Sequence, residues 1–387
     1  MTLPEATTEQ GGLEQVSGVD RVASLTGIRA VAALLVVGTH AAYTTGKYIQ
    51  GYFGLICARL EIGVPIFFVL SGFLLFRPWV KSAATGSPSP SVSSYARHRV
   101  RRIMPAYVVT VLAAYVDYQF HSLKPNPGHT WIGLLRNLTL TQTYTGNYLG
   151  NYLHQGLTQM WSLSVEVAFY LVLPALAYVL LASLCRRRWQ PVRLLAGLGG
   201  LALISPAWLT LVHTNDWLPN VARLWLPSYL AWFVAGMLLA VLQAMRMVCY
   251  ALVAIPLAVI SYLIAATPIG GAPTTAPTGL LEAVVKSTFY AVIAALAVAP
   301  LALGNQGWYA GMLASRPMVW LGEISYEIFL VHLLTMEFAM IELVHYRIYT
   351  GSMTVLFVVT VVITIPPAWL LHRFTRVRTS APSHRAG

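Results

Sequence analysis

Charge is scarce in this chain of 387 residues, of which 10% are Asp, Glu, Lys or Arg. A soluble domain of average usage carries roughly 25%. With 57% hydrophobic residues and a mean hydropathy of +0.65, that shortage argues against a water-soluble fold. Cysteine is nearly absent. Cys57, Cys185 and Cys249 are odd in number and scattered, which rules out a disulfide framework and any metal-ligand spacing, so no metal site is expected. Residues 1–18 lack the basic start and apolar stretch of a cleaved secretory signal, and 1–20 read as a disordered cytoplasmic tail. Acids are few, 13 against 25 Lys and Arg, giving a net charge of +12. The cations sit between apolar segments instead of on one soluble face, so nucleic acid is not expected as a partner.

What the chain does have is long apolar runs. They are roughly 20 residues each and rich in Leu, Ala and Val, without the alternation of barrel strands. Backbone polar groups in lipid must be satisfied within the segment, and the expected fold is therefore an all-α integral membrane protein with about ten transmembrane helices in one bundle. The spans are placed at 22–43, 52–76, 103–120, 159–184, 193–213, 225–243, 247–266, 284–303, 317–341 and 353–371. With the N-terminus inside, inner segments hold 17 of the 25 cations and outer segments 7, with Arg29 inside the first span. The positive-inside bias then puts both termini in the cytoplasm, as in a multi-pass protein of the cell membrane. Residues 21–372 form one membrane domain, followed by a basic cytoplasmic tail at 373–387. Residues 82–94 read as a flexible cytoplasmic linker. The outer stretch 121–159, rich in Thr, Asn, Tyr and His, suits an interfacial loop that binds a hydroxyl-rich partner.

Ionisable residues inside spans are costly and point to function. Arg29 and His40 lie eleven residues apart, so on a helix they point within roughly 20° of one another and differ in height by about 16 Å. The plainer alternative is that Arg29 snorkels to the inner surface and His40 caps the outer helix end. Arg99 and Arg102 share a face if the third helix begins early, forming a double guanidinium clamp suited to phosphate; equally, such a cluster can serve topology or anionic lipid. Ser162, Glu166 and Tyr170 recur at i, i+4 and i+8 as one polar stripe in an apolar helix. Glu166 could face a cavity or be paired with a buried arginine. Ser71-Gly72, inside Phe67-Phe68-Val69-Leu70-Ser71-Gly72-Phe73, ordinarily means close helix packing. Glu61, Glu323, Glu327, His332 and Glu337 are further candidates for the same cavity.

Together these residues resemble acyltransferase family 3, the membrane O-acyltransferases of surface glycans, glycolipids and some macrolides. Arg29 and His40 stand at the family's Arg-x10-His spacing, residues 67–73 read as its FFVLSGF element, Arg99 and Arg102 fit its Arg-x-x-Arg, and residues 161–170, with Trp161, Ser162 and Ser164, look like its WSLSVEEQFY segment. Ser325, Tyr326 and His332 look like its late SYxxYLxH element. The chain departs from the family at Val167, where many members have a second acid, and at Pro65, where many have Asp.

The resemblance implies an acyl-CoA donor, acetyl-CoA by the family's habit, with no tightly bound cofactor. Arg29, Arg99, Arg102 and Ser71 would bind that donor; His40, Glu166 and Arg29 would be catalytic; and Trp161, Ser162, Ser164, Tyr170 and His332 would line the cavity. His40 would act as general base or as a transient acyl carrier. The acceptor would be a carbohydrate, glycolipid or macrolide hydroxyl, and the lipid bilayer the remaining partner. The rival readings are a proton-coupled transporter and a non-enzymatic lipid- or polymer-binding protein.

Overall fold

The computed structural model describes residues 8–120, 126–144, 154–272, 279–304 and 307–375, with side chains described from Val22 onward. Among the described residues every regular element is helical. Eight segments are long and apolar enough to cross a membrane: Val22–Thr44, Gly51–Thr85, Val92–Phe120, Gln155–Leu184, Pro191–Thr214, Asn220–Ala244, Leu280–Ala302 and Met353–Thr375. A ninth is the pair Arg316–Glu323 and Ser325–Leu343, bent by 70°. The remaining expected span is the apolar helix Ala251–Ala265, of 15 residues, short of the roughly 20 that cross a bilayer untilted. The expected tails fall partly outside the described residues; from Thr8 the backbone is already helical.

We label the helices α1 (Thr8–Thr44), α2 (Gly51–Ala58), α3 (Gly63–Thr85), α4 (Val92–Phe120), α5 (Trp131–Leu138), α6 (Trp161–Ala177), α7 (Pro191–Ala202), α8 (Ile204–Thr214), α9 (Leu226–Ala244), α10 (Ala251–Ala265), α11 (Leu280–Ala302), α12 (Trp308–Leu313), α13 (Arg316–Glu323), α14 (Ser325–Phe338) and α15 (Met353–Thr375). Helix α1 runs through the middle of the bundle, touching α3, α13, α14 and α15. In its apolar window 61% of residues are buried, against 17% for Pro191–Thr214 and 22% for Met353–Thr375. The latter two present their apolar faces outward, where lipid replaces protein as the solvent.

The tightest joint is between α3 and α9, which contact one another more than any other pair. A Cβ on Gly72 would lie 2.0 Å from the Phe233 carbonyl oxygen, and one on Gly236 would lie 1.9 Å from that of Val69. The two glycines bring the backbones together, and the gap beside them is filled by a stack of Phe68, Phe233 and Phe169, with ring centres 4.3 and 4.0 Å apart. In lipid, apolar burial drives helix association little, and such close packing does the work.

Several expected cavity acids serve as ties between helices instead. Glu61 accepts from the Tyr290 hydroxyl at 2.8 Å and pairs with Lys286 of α11. Glu327 meets His372 Nδ1 of α15 at 3.0 Å. Glu337 accepts from the Tyr118 hydroxyl of α4. Arg59, counted with the outer-side cations, is 1% exposed; it donates to the carbonyls of Ala265, Gly270 and Gly271 at 3.0, 2.7 and 2.5 Å. This anchors the turn after α10 with a charge whose donors are spent on backbone acceptors that lipid could not satisfy.

Gly72→Ala should destabilise the protein by about 1–3 kcal/mol through overpacking. Gly200→Ala, at a helical position where a Cβ meets nothing within 4 Å, should be neutral or slightly stabilising. Thermal melts of the two variants in one detergent check the contrast.

Candidate active site

Helix α4 begins at Val92, well before its apolar part, because Ser91 Oγ caps the first turn by accepting from the Ser94 N–H at 3.4 Å, and nothing between Val92 and Met104 breaks it. Arg99 and Arg102 therefore sit on helix, one turn apart, and the linker between α3 and α4 shrinks to residues 86–91. Their face looks into a cavity of about 1020 Å³, counting its open mouth. Arg29 of α1, Ser71 of α3, and Ser162, Glu166 and Tyr170 of α6 line the same cavity. The i, i+4, i+8 stripe of α6 thus faces inward as its spacing predicts.

Glu166 is the centre of this wall. Its Oε1 accepts the hydroxyl of Ser71 and, at 2.5 Å, that of Tyr170. The Ser71-Gly72 step does two jobs: Gly72 closes α3 on α9, and Ser71, one residue earlier and about 100° around the helix, reaches Glu166. Arg29 has Arg102, Arg99, Tyr170 and Glu166 as electrostatic neighbours. Three guanidinium groups therefore face two carboxylates, and the second, Glu323, is exposed at the rim. In a low-dielectric surrounding, such a surplus of positive charge suits an anionic ligand with several oxygens. Arg99 Nε is buried without a hydrogen-bond partner in the protein. A second cavity, with Trp79 and Tyr95 in its walls, adjoins the first and shares Leu74, Leu75 and Arg99 with it.

The 70° break between α13 and α14 supplies the opposite wall. Gly322 lets the chain approach α1 so closely that a Cβ would lie 2.0 Å from the Thr26 carbonyl oxygen. Ser325 Oγ donates to the Gly322 carbonyl at 2.7 Å, capping the break. Glu323, Tyr326 and Phe329 consequently point into the cavity, and Tyr326 ties α14 to α4 by donating to the Ile103 carbonyl at 3.0 Å. Tyr326, Phe67 and Phe329 have no role assigned from sequence, although Phe67 opens the FFVLSGF element and Tyr326 and Phe329 fall within the late element at 325–332.

Not every expected site residue lines this cavity. Trp161 packs on Tyr229, ring centres 5.0 Å apart, and Ser164 is buried and donates to the Met160 carbonyl at 3.4 Å. Both lie off the inward stripe of α6, about 100° and 200° from Ser162. His40 also lies outside the cavity lining. It sits further along α1 against His332, ring centres 5.2 Å apart, and Phe329 links the two layers: its ring lines the cavity, packs edge-on against Phe67 at 6.4 Å, and lies 5.9 Å from His332.

A multi-pass helical membrane protein with a cavity inside the bundle that gathers three arginines is the class that fold and site define. Residues 22–373 match the acyltransferase domain of acyltransferase family 3, and the chain belongs to that family. It is similar to acyltransferase MdmB of Streptomyces mycarofaciens, 29% identical over 340 residues that cover 83% of this chain and 80% of the relative. It is also similar to the peptidoglycan O-acetyltransferase OatA of Listeria monocytogenes, 30% identical over 210 residues, which cover 50% of this chain and 29% of that protein. No solved structure matches the chain. Family membership favours the enzyme over the transporter and binding-protein readings.

Glu166→Ala would leave the Ser71 and Tyr170 hydroxyls without their acceptor and should destabilise the protein by about 1–3 kcal/mol, whereas Glu166→Gln, which keeps an acceptor oxygen, should lose less. Melting temperatures in detergent, compared with Ser71→Ala, check the order.

Proposed function

We propose that this protein is an O-acyltransferase of the cell membrane that moves an acyl group, acetyl by preference, from acyl-CoA to a hydroxyl of a carbohydrate or glycolipid acceptor. The observation that supports it most is the convergence of Arg29, Arg99 and Arg102 on one cavity. The phosphates of a CoA donor are the polyanion such a cavity suits, and guanidinium pairs bind phosphate in a bidentate manner. Similarity to a peptidoglycan O-acetyltransferase over half of the chain supports an acetyl group and a glycan acceptor.

The topology adds direction. With both termini cytoplasmic, the basic start of α4 lies on the inner side, so the donor enters there with its phosphates at Arg99 and Arg102. Its acyl end extends along α1 past Arg29 toward His40. Reaching His40 requires passage beside Phe67 and Phe329, so side-chain rearrangement of that pair belongs to the catalytic cycle. The side chain of His40 then removes the proton of the acceptor hydroxyl as it attacks the thioester, or carries the acyl group transiently. Arg29, about 16 Å along an ideal α1 from His40, lines the arginine cavity and serves donor binding.

Mass spectrometry of envelope glycans, glycolipids and secreted metabolites tests the reaction: one acyl mass should be present with the wild-type protein and absent with His40→Ala at matched membrane expression. Identical profiles would overturn the assignment. Arg99→Gln and Arg102→Gln should each raise the KM for acetyl-CoA about 10- to 100-fold, the loss of one charged hydrogen bond or two, with a smaller change in kcat. Labelled donor offered to one face of sealed vesicles, in each orientation, checks the side of entry; labelling indifferent to side would overturn it.

A further inference from the structure

The histidine pair is the part of the bundle interior that the arginine cavity leaves unused. His332 is fully buried, and its Nδ1 lies 2.7 Å from the Phe329 carbonyl oxygen. A carbonyl oxygen only accepts, so Nδ1 carries the ring hydrogen and Nε2 of the neutral ring presents a lone pair. That Nε2 is buried and has no hydrogen-bond partner in the protein. The ring of His40 stands 5.2 Å away, centre to centre, tilted by 47°. The two rings make no hydrogen bond as they stand, but a turn that aimed one nitrogen of each ring at the other would bring the nitrogens to about 3 Å, the length of a hydrogen bond. A buried acceptor is costly to leave unpaired, and the N–H of His40 is the donor adjacent to it.

We propose that His332 is a positioning residue for acyl transfer: when the two rings turn toward one another, its Nε2 accepts the N–H of one His40 nitrogen and so fixes the lone pair of the other nitrogen toward the reacting hydroxyl. This rests on the role of His40 given above. Oriented bases usually lean on a carboxylate. Within an apolar layer an uncompensated carboxylate would be expensive, and a neutral imidazole locked by a backbone carbonyl supplies the same acceptor without a charge. During transfer the acceptor O–H bond breaks and its proton goes to the free nitrogen of His40, while the oxygen's electron pair bonds to the thioester carbonyl carbon. The C–S bond then breaks, sulfur leaves with its electron pair, and the proton on His40 passes to it. His332 exchanges no proton throughout. Phe329 couples this pair to the cavity, because its carbonyl sets the His332 tautomer while its ring forms part of the cavity wall.

The test is acetyl-CoA turnover by the full-length protein in detergent, with His332→Leu, His332→Gln and His40→Ala compared with wild type and each variant's melting followed. His332→Leu should lower kcat about 10- to 100-fold, the usual effect of losing an orienting partner, with the donor KM within about twofold. His332→Gln, whose amide oxygen can take the place of Nε2 as acceptor, should recover most of the rate. Wild-type turnover in His332→Leu, equal losses in the Leu and Gln variants, or a loss that tracks unfolding would each overturn the positioning role. Full turnover in His40→Ala would instead remove the assignment of His40 on which it rests.

Discussion

The carboxylate of Glu166 stands in the wall of a cavity within the bundle, where its hydrogen-bond donors come from neighbouring side chains. It takes them from Ser71 on α3 and Tyr170 on its own helix, and it lies within electrostatic range of Arg29 on α1. That demand fixes how α3 and α6 face one another and where α1 must stand. Ser71 can reach Glu166 only if α3 is held at its present rotation, and the backbone contacts of Gly72 and Gly236 with α9 hold it there. The polar wall of the cavity and the tightest packing in the bundle are thus consequences of the same two-residue step.

The charges elsewhere in the bundle divide into two kinds. Arg59, Glu61, Glu327 and Glu337 each have partners that bind one element to another, and burial with a partner is the ordinary state of an ionised group in a helical membrane protein. Arg29, Arg99 and Arg102 differ in converging on a cavity with too few acids to match them. An excess of one sign in a cavity is the physical signature of a site that awaits a charged partner. The 70° break at residue 324 makes room for it, since a continuous helix there would carry Tyr326 and Phe329 on a different course.

The interior is layered along α1. Arg29 belongs to the cavity, and His40 to a layer further along where two imidazoles meet. Phe67 and Phe329, edge to face, stand where the layers join. On the proposed reading, the donor's phosphates and thioester would occupy different layers, separated by about the 16 Å rise between residues 29 and 40 of an ideal helix.

Sequence alone settled the features that depend on composition and helical period. The apolar runs marked the helical membrane class and eight of the ten expected spans, with a ninth bent and the tenth a short helix, because in lipid each span must satisfy its own backbone. The i, i+4, i+8 stripe of Ser162, Glu166 and Tyr170 was legible because its members share one helix face, and so was the family, through residues in fixed order along the chain. Tertiary structure decided what depends on contacts between distant segments. Which acids tie helices together and which face the cavity followed from neighbours more than 40 residues away, as with Glu327 and His372 or Glu337 and Tyr118. Arg29 and His40 share a face of α1, yet only the packing of α14 beside α1 shows that one faces a cavity and the other a histidine. Spacing fixes direction on a single helix, whereas the partner met in that direction is set by how the helices pack.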